Sequence, residues 1–215
     1  MKNNLTHILA ILDRSGSMDC IANKTIEGFN GFVVDQQKVA GEATLTLCIF
    51  DDKFDVIHDV ENIQNVPKLT SEVYFARGMT AQYDAMAKSI ILTGERLAAM
   101  PEEERPSKVI VLVMTDGAEN SSKEYAGEQG RLALKAMIER QTNVYNWNFV
   151  FMGANIDAKS TAASLGISAA NSAQYQSTNS GAIRAYETLS RGMTRSRTVV
   201  GHVVPEFFDG DDDAA

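Results

Sequence analysis

The chain has 215 residues, 44% of them hydrophobic and 22% charged. That balance suits one globular domain with a sizeable core and excludes general disorder. The net charge of −8 argues against a duplex-binding surface, which needs a basic excess, and no stretch approaches the roughly 20 apolar residues of a membrane span.

Taken in chain order, the first apolar run, His7–Leu12, reads as a buried strand that stops at Asp13. Ile21–Ala40 reads as a helix with Ile26, Phe29, Val33 and Gln37 along one face. Thr44–Phe50 and Phe54–Val60 flank the polar turn Asp51-Asp52-Lys53 and read as a hairpin. Tyr83–Met100 carries Met86, Ile90, Leu97 and Met100 at helical spacing and stops at Pro101. The strand Val109–Met114 follows, then a helix over Lys123–Arg140 carrying Leu132, Leu134, Met137 and Ile138. Asn148–Met152 is a strand, and Asp157–Leu165 is a short helix closed by Gly166. A short edge strand near Ser172–Tyr175 and a helix over Ala182–Met193 complete the alternation. The tail Phe207–Ala215 is acidic but lacks the ligand spacing of an EF-hand loop. Cys20 and Cys48 give neither zinc spacing nor a CxxC and read as small buried apolar residues. The first residues lack a signal-peptide cleavage site, so the expectation is a soluble, cytoplasmic protein.

Alternating strands and helices predict a mostly parallel sheet with helices on both faces. In such a doubly wound sheet, ligands bind beyond the carboxyl ends of the strands, where the strand order reverses. Asp13 stands at the end of the first strand and Asp116 just past Val109–Met114. If those strands are neighbours, both carboxylates face one crevice, and a cation is their simplest partner. Ser15 and Ser17 alternate after Asp13 around Gly16, and Thr80 follows Gly78 and Met79 in the loop before a helix. Every group in this set donates oxygen, which suits Mg²⁺ or Mn²⁺ and suits Ca²⁺ less.

DRSGSM at 13–18, GMT at 78–80 and TDG at 115–117 together resemble the metal-ion-dependent adhesion site of von Willebrand factor type A (vWA) domains. The resemblance covers residues 5–195, and DRSGSM looks most like the stand-alone bacterial and phage members. It implies a Rossmann-like α/β domain over 1–200 with an acidic tail over 201–215. The implied sheet has six strands in the order 3-2-1-4-5-6, the hairpin's second strand being the antiparallel edge. It further implies that Asp13, Ser15, Ser17, Thr80 and Asp116 hold Mg²⁺ or Mn²⁺ directly or through water. Such domains are generally not enzymes. They bind a protein partner whose Asp or Glu completes the metal's coordination, some act beside an ATPase or kinase, and the last helix can shift on binding. Nucleic acid and membranes are not expected partners.

Two rival readings are a Mg²⁺-dependent phosphohydrolase or phosphotransferase and a structural module that keeps an empty motif. The haloacid-dehalogenase pattern needs a second Asp where Ser15 stands, and Arg14 or Arg77, the available phosphate holders, read as solvated. The remaining polar and sulfur residues have simpler readings. His7, His58 and His202 read as structural, and GFNGF at 28–32 lies inside a helical pattern rather than after a strand. Asp51, Asp52 and Asp55 read as hairpin solvation, and Met79, Met86, Met100, Met114 and Met137 as core fillers. Asp84 is expected to cap its own helix or to support the site, and Glu119 and Asn120 to hold metal-bound water or to begin the next helix.

Overall fold

The computed structural model describes residues 1–199 and 206–208. Its strands are β1 (Lys2–Asp13), β2 (Glu42–Phe50), β3 (Phe54–Asn62), β4 (Pro106–Thr115), β5 (Asn148–Gly153) and β6 (Ser172–Gln174). Its helices are α1 (Ala22–Lys38), α2 (Gln82–Ala99), α3 (Gly127–Tyr145), α4 (Ala158–Ser164) and α5 (Asn179–Thr198). The sheet runs β3-β2-β1-β4-β5-β6, the order expected from the sequence. Every pairing is parallel except β2–β3. The chain first builds outward on one side of β1 and then on the other, so the order reverses between β1 and β4.

The alternation of side chains along β1 divides the core. Ile8, Ala10 and Leu12 pack with α1 and α5 on one face, while Leu9 and Ile11 pack with α2, α3 and α4 on the other. A strand so enclosed must be apolar on both sides, which is why the run at 8–12 has no polar interruption. β1 begins at Lys2 rather than His7 because its polar start still forms ladder bonds: Lys2 N–H donates to Arg105 C=O at 2.7 Å. Backbone pairing, which hydrophobicity does not report, sets that boundary. α3 begins at Gly127 rather than Lys123 because the preceding residues are engaged at the site described below.

α1 and α5 lie close together because Gly28 leaves room for the Tyr186 ring; a methyl group there would run into it. GFNGF is therefore a helix-packing notch, in keeping with its position inside a helical pattern. The far end of α5 is fastened by two buried cations. Lys108 Nζ donates to the carbonyls of Ser196 at 2.7 Å, Arg197 at 3.5 Å and Val199. Arg197 reaches back to the carbonyls of Gln36 at 2.6 Å and Gly41 at 3.2 Å at the end of α1. Each supplies positive charge or donors where helix carbonyls lack partners. Phe207 is fully buried against Gly192, its N–H donating to Asn171 Oδ1 at 3.0 Å, so residues 206–208 strap α5 to the β6 edge. His202, the expected boundary at 200/201 and the acidic residues 209–215 lie outside the described residues.

Candidate metal centre

Asp13 ends β1 and Asp116 follows β4, the two strands that flank the reversal, and both are buried. One Asp13 carboxylate oxygen accepts the Ser15 N–H at 2.6 Å, and the other accepts the Thr115 hydroxyl. Ser15 Oγ lies 3.2 Å from Ser17 Oγ, which donates to Asp116 Oδ1 at 2.5 Å. A methyl group added at Gly117 would sit 3.4 Å from both Ser17 Oγ and Thr80 Oγ1. All five residues named from the sequence therefore converge on one crevice, and exposed Gly16 and Ser17 open it to solvent.

The electrostatics suit a cation. Burial pushes the Asp13 carboxyl up to about 6, against the Thr115 and Ser15 bonds that stabilise its anion, and nearby Asp116 adds repulsion. Asp116 is raised as well, again by burial, with the Ser17 and Ser177 hydroxyls opposing it. Two carboxyls that resist ionisation side by side, facing neutral hydroxyls, form an oxygen-only donor set that a divalent cation fits. Among the described residues no group of three or more His, Cys, Asp and Glu gathers as a metal site, so this is a mixed hydroxyl–carboxylate set rather than an acidic cage.

Several surrounding residues depart from expectation. Arg14 is buried, not solvated; its Nε donates to Asp51 Oδ2 at 2.8 Å and its Nη2 pairs with Asp55. Arg77 Nε donates to the same Asp51 oxygen at 2.6 Å. Asp51 is itself fully buried, so it is not turn solvation. Burial alone would raise its carboxyl, but the Arg77 bond, the Lys53 N–H and Arg14 outweigh that and hold it below the ordinary range. The hairpin turn is thus tied by charge to the two loops that deliver Ser15 and Thr80.

Asp84 does not cap its own helix. Its carboxylate accepts the N–H groups of Lys123 at 2.8 Å, Glu124 at 3.3 Å and Tyr125 at 2.8 Å. Glu119 performs the capping instead, accepting the Tyr83 N–H at 2.9 Å in the first turn of α2. Asn120 Oδ1 accepts the Thr80 N–H at 2.9 Å. Glu119 and Asn120 thus do not begin α3; they hold the Thr80 loop and the start of α2. Met79 is exposed rather than a core filler, and Cys20 is exposed while Cys48 is buried; both thiols are free.

Sequence reading missed Ser177, whose hydroxyl lies 3.4 Å from Asp116 Oδ2, and Tyr74, whose hydroxyl donates to the Asp13 carbonyl. Neither stands in a motif. Thr115 was legible only as the first letter of TDG.

Sequence comparison with protein-family models and with curated proteins found no match. Solved structures did match. A manganese-loaded TRAP protein of Plasmodium vivax aligns over 86% of this chain and 72% of its own, at 15% identity and a TM-score of 0.58. Proximal thread matrix protein 1 of the mussel byssus, with a zinc-occupied MIDAS motif, aligns over 88% of this chain and 46% of its own, at 17% identity and a TM-score of 0.54. A von Willebrand factor type A protein from Catenulispora acidiphila aligns over 91% of this chain and 43% of its own, at 15% identity and a TM-score of 0.52. The chain spans less than half the length of the latter two. Strand order, antiparallel hairpin edge and these likenesses together give the chain the von Willebrand factor type A fold.

Proposed function

We propose that the chain is a metal-dependent protein-interaction module in which Asp13, Ser15, Ser17, Thr80 and Asp116 hold a divalent cation, Mg²⁺ or Mn²⁺. The observation that carries this reading is the convergence of two raised-pKa carboxyls and three hydroxyls at the strand-order reversal, open to solvent. The metal-loaded structures among the fold's neighbours lend support. When bound, the ion supplies positive charge and a free coordination position for a partner's Asp or Glu. The chain's own residues prepare for that. Thr115 and the Ser15 N–H fix the Asp13 carboxylate, Asn120 fixes the Thr80 loop, and the neutral hydroxyls leave more of the ion's charge unspent than further carboxylates would.

We favour a binding role over phosphoryl chemistry because both candidate phosphate holders, Arg14 and Arg77, are engaged by Asp51 and Asp55. An associated ATPase or kinase is one class of partner this site would serve. The test is parallel affinity capture with wild type and Asp13→Ala, each with Mg²⁺ and with EDTA. Expected is a partner retained only by metal-loaded wild type, with a melting temperature that metal raises in wild type alone. At a concentration of about one hundred times Kd, linkage supplies about 2.7 kcal/mol. Binding that survives EDTA unchanged overturns the reading.

A further inference from the structure

At the end of the sheet opposite the metal centre, α2, α3 and the start of β4 border a cleft of about 910 Å³. Ile90 and Leu97 of α2, Met137 and Tyr145 of α3, Val109 of β4 and Trp147 supply its apolar lining. Both the volume and the apolar, aromatic walls are those of small-molecule sites, which span about 300–1,000 Å³. Trp147 is only 5% exposed and stacks on Phe149 with ring centroids 6.3 Å apart, so this wall is held in place.

Gly94 stands in the interior of α2, where glycine is disfavoured relative to alanine. Packing does not require it: a methyl group added there would meet nothing within 4 Å. Gly28, by contrast, makes room for the Tyr186 ring. What the missing side chain at Gly94 leaves free is space in the cleft, which Gly94 lines.

The rim defines the charge of the occupant. Glu95, Glu102, Arg105 and Arg140 all line the cleft, and their formal charges cancel. The helix ends beside it already have donors. Arg105 donates from Nε to the Met100 carbonyl and from Nη2 to the Ala98 carbonyl, each at 3.0 Å, at the end of α2. Trp147 N–H donates to the Gln141 carbonyl at 3.1 Å at the end of α3. With no excess charge at the rim, nothing favours an ionic group on the occupant, and burying one would forfeit its hydration.

We propose that this cleft binds an uncharged, largely apolar small molecule that packs against Trp147. The site is separate from the metal centre and does not depend on the carboxylate-binding reading.

Trp147 is the chain's single tryptophan, so its fluorescence reports on this cleft alone. The test is titration of the full chain with uncharged phenylnaphthylamine, with its sulfonated analogue anilinonaphthalene sulfonate and with cationic naphthyltrimethylammonium, each read by quenching of Trp147. Expected is saturable quenching by the uncharged probe, with each charged probe binding about tenfold more weakly. Gly94→Leu fills the cleft, and Ile91→Lys, at a lining position already 40% exposed, puts a charge at its mouth. Each variant should abolish the saturable quenching while keeping the circular dichroism of wild type. Quenching that rises linearly with probe, or that a folded variant leaves unchanged, overturns the proposal. Equal or tighter binding of a charged probe overturns the assignment of an uncharged occupant.

Discussion

Asp13 answers two opposed demands. Without an ion its buried carboxyl, pushed up to about 6 from 3.8, makes the folded protein bind a proton that the unfolded chain releases. Metal-free stability therefore falls as pH rises through roughly 4 to 6, by an amount on the order of 2–3 kcal/mol. In EDTA, Asp13→Asn should gain on wild type over that window, read as the difference in urea midpoints at pH 4.5 and 7.5. The comparison cancels the opposing contribution of buried His7, whose pKa is lowered to about 4 by burial and, to a lesser degree, by Arg96. Adding Mn²⁺ at pH 7.5 should reverse the order, since only wild type keeps both carboxylates. An unchanged difference across pH would show that Asp13 is not buried as described. Asp51 behaves otherwise, because its partners are permanent. Asp51→Ala strips Arg14 of its buried counter-charge and should cost about 3–5 kcal/mol in equilibrium unfolding, with weaker metal affinity as the Thr80 loop loosens. A loss under about 1 kcal/mol, the range of surface pairs, would place the cluster in solvent.

At the scale of elements, the seam between α1 and α5 rests on a missing side chain. In an isolated helix Gly28→Ala would be favourable by about 1 kcal/mol. Here the added methyl meets the Tyr186 ring, and overpacking of that kind costs about 1–3 kcal/mol. The variant should melt below wild type in a thermal scan; a higher melting temperature would mean the helices stand further apart. The same seam shows what was legible beforehand. The positions of six strands and five helices followed from apolar runs and turn residues, because enclosed strands and amphipathic helices write their burial into composition. The expected helix over Ala182–Met193 is α5, running from Asn179 to Thr198, but its length was hidden. Its last turns are held by Lys108 and Arg197, long polar side chains that read as surface until the carbonyls they reach are known. The stretch 118–126 was misread for a related reason. Asp84 reads as a cap of its own helix and Glu119 as the start of the next, yet each serves backbone across a gap of about forty positions in sequence.

For the whole molecule, the convergence was legible because its chemistry is concentrated in three short motifs, two at the ends of strands that the strand order makes neighbours and one in the loop before α2. What the sequence withheld is the scaffold around them: Arg14, Asp51, Asp55 and Arg77 join three segments through pairs no local pattern announces. One further feature of the assembled fold turns into a measuring device. Lys108 is only 8% exposed, its ammonium closed in by the carbonyls at the end of α5. An acylating reagent that consumes surface lysines should leave this amine untouched for as long as the helix stays seated. The rate at which mass spectrometry finds Lys108 acylated would then count how often α5 lets go. Running that clock with and without metal and bound partner would show whether occupancy at the top of the sheet is felt at its base.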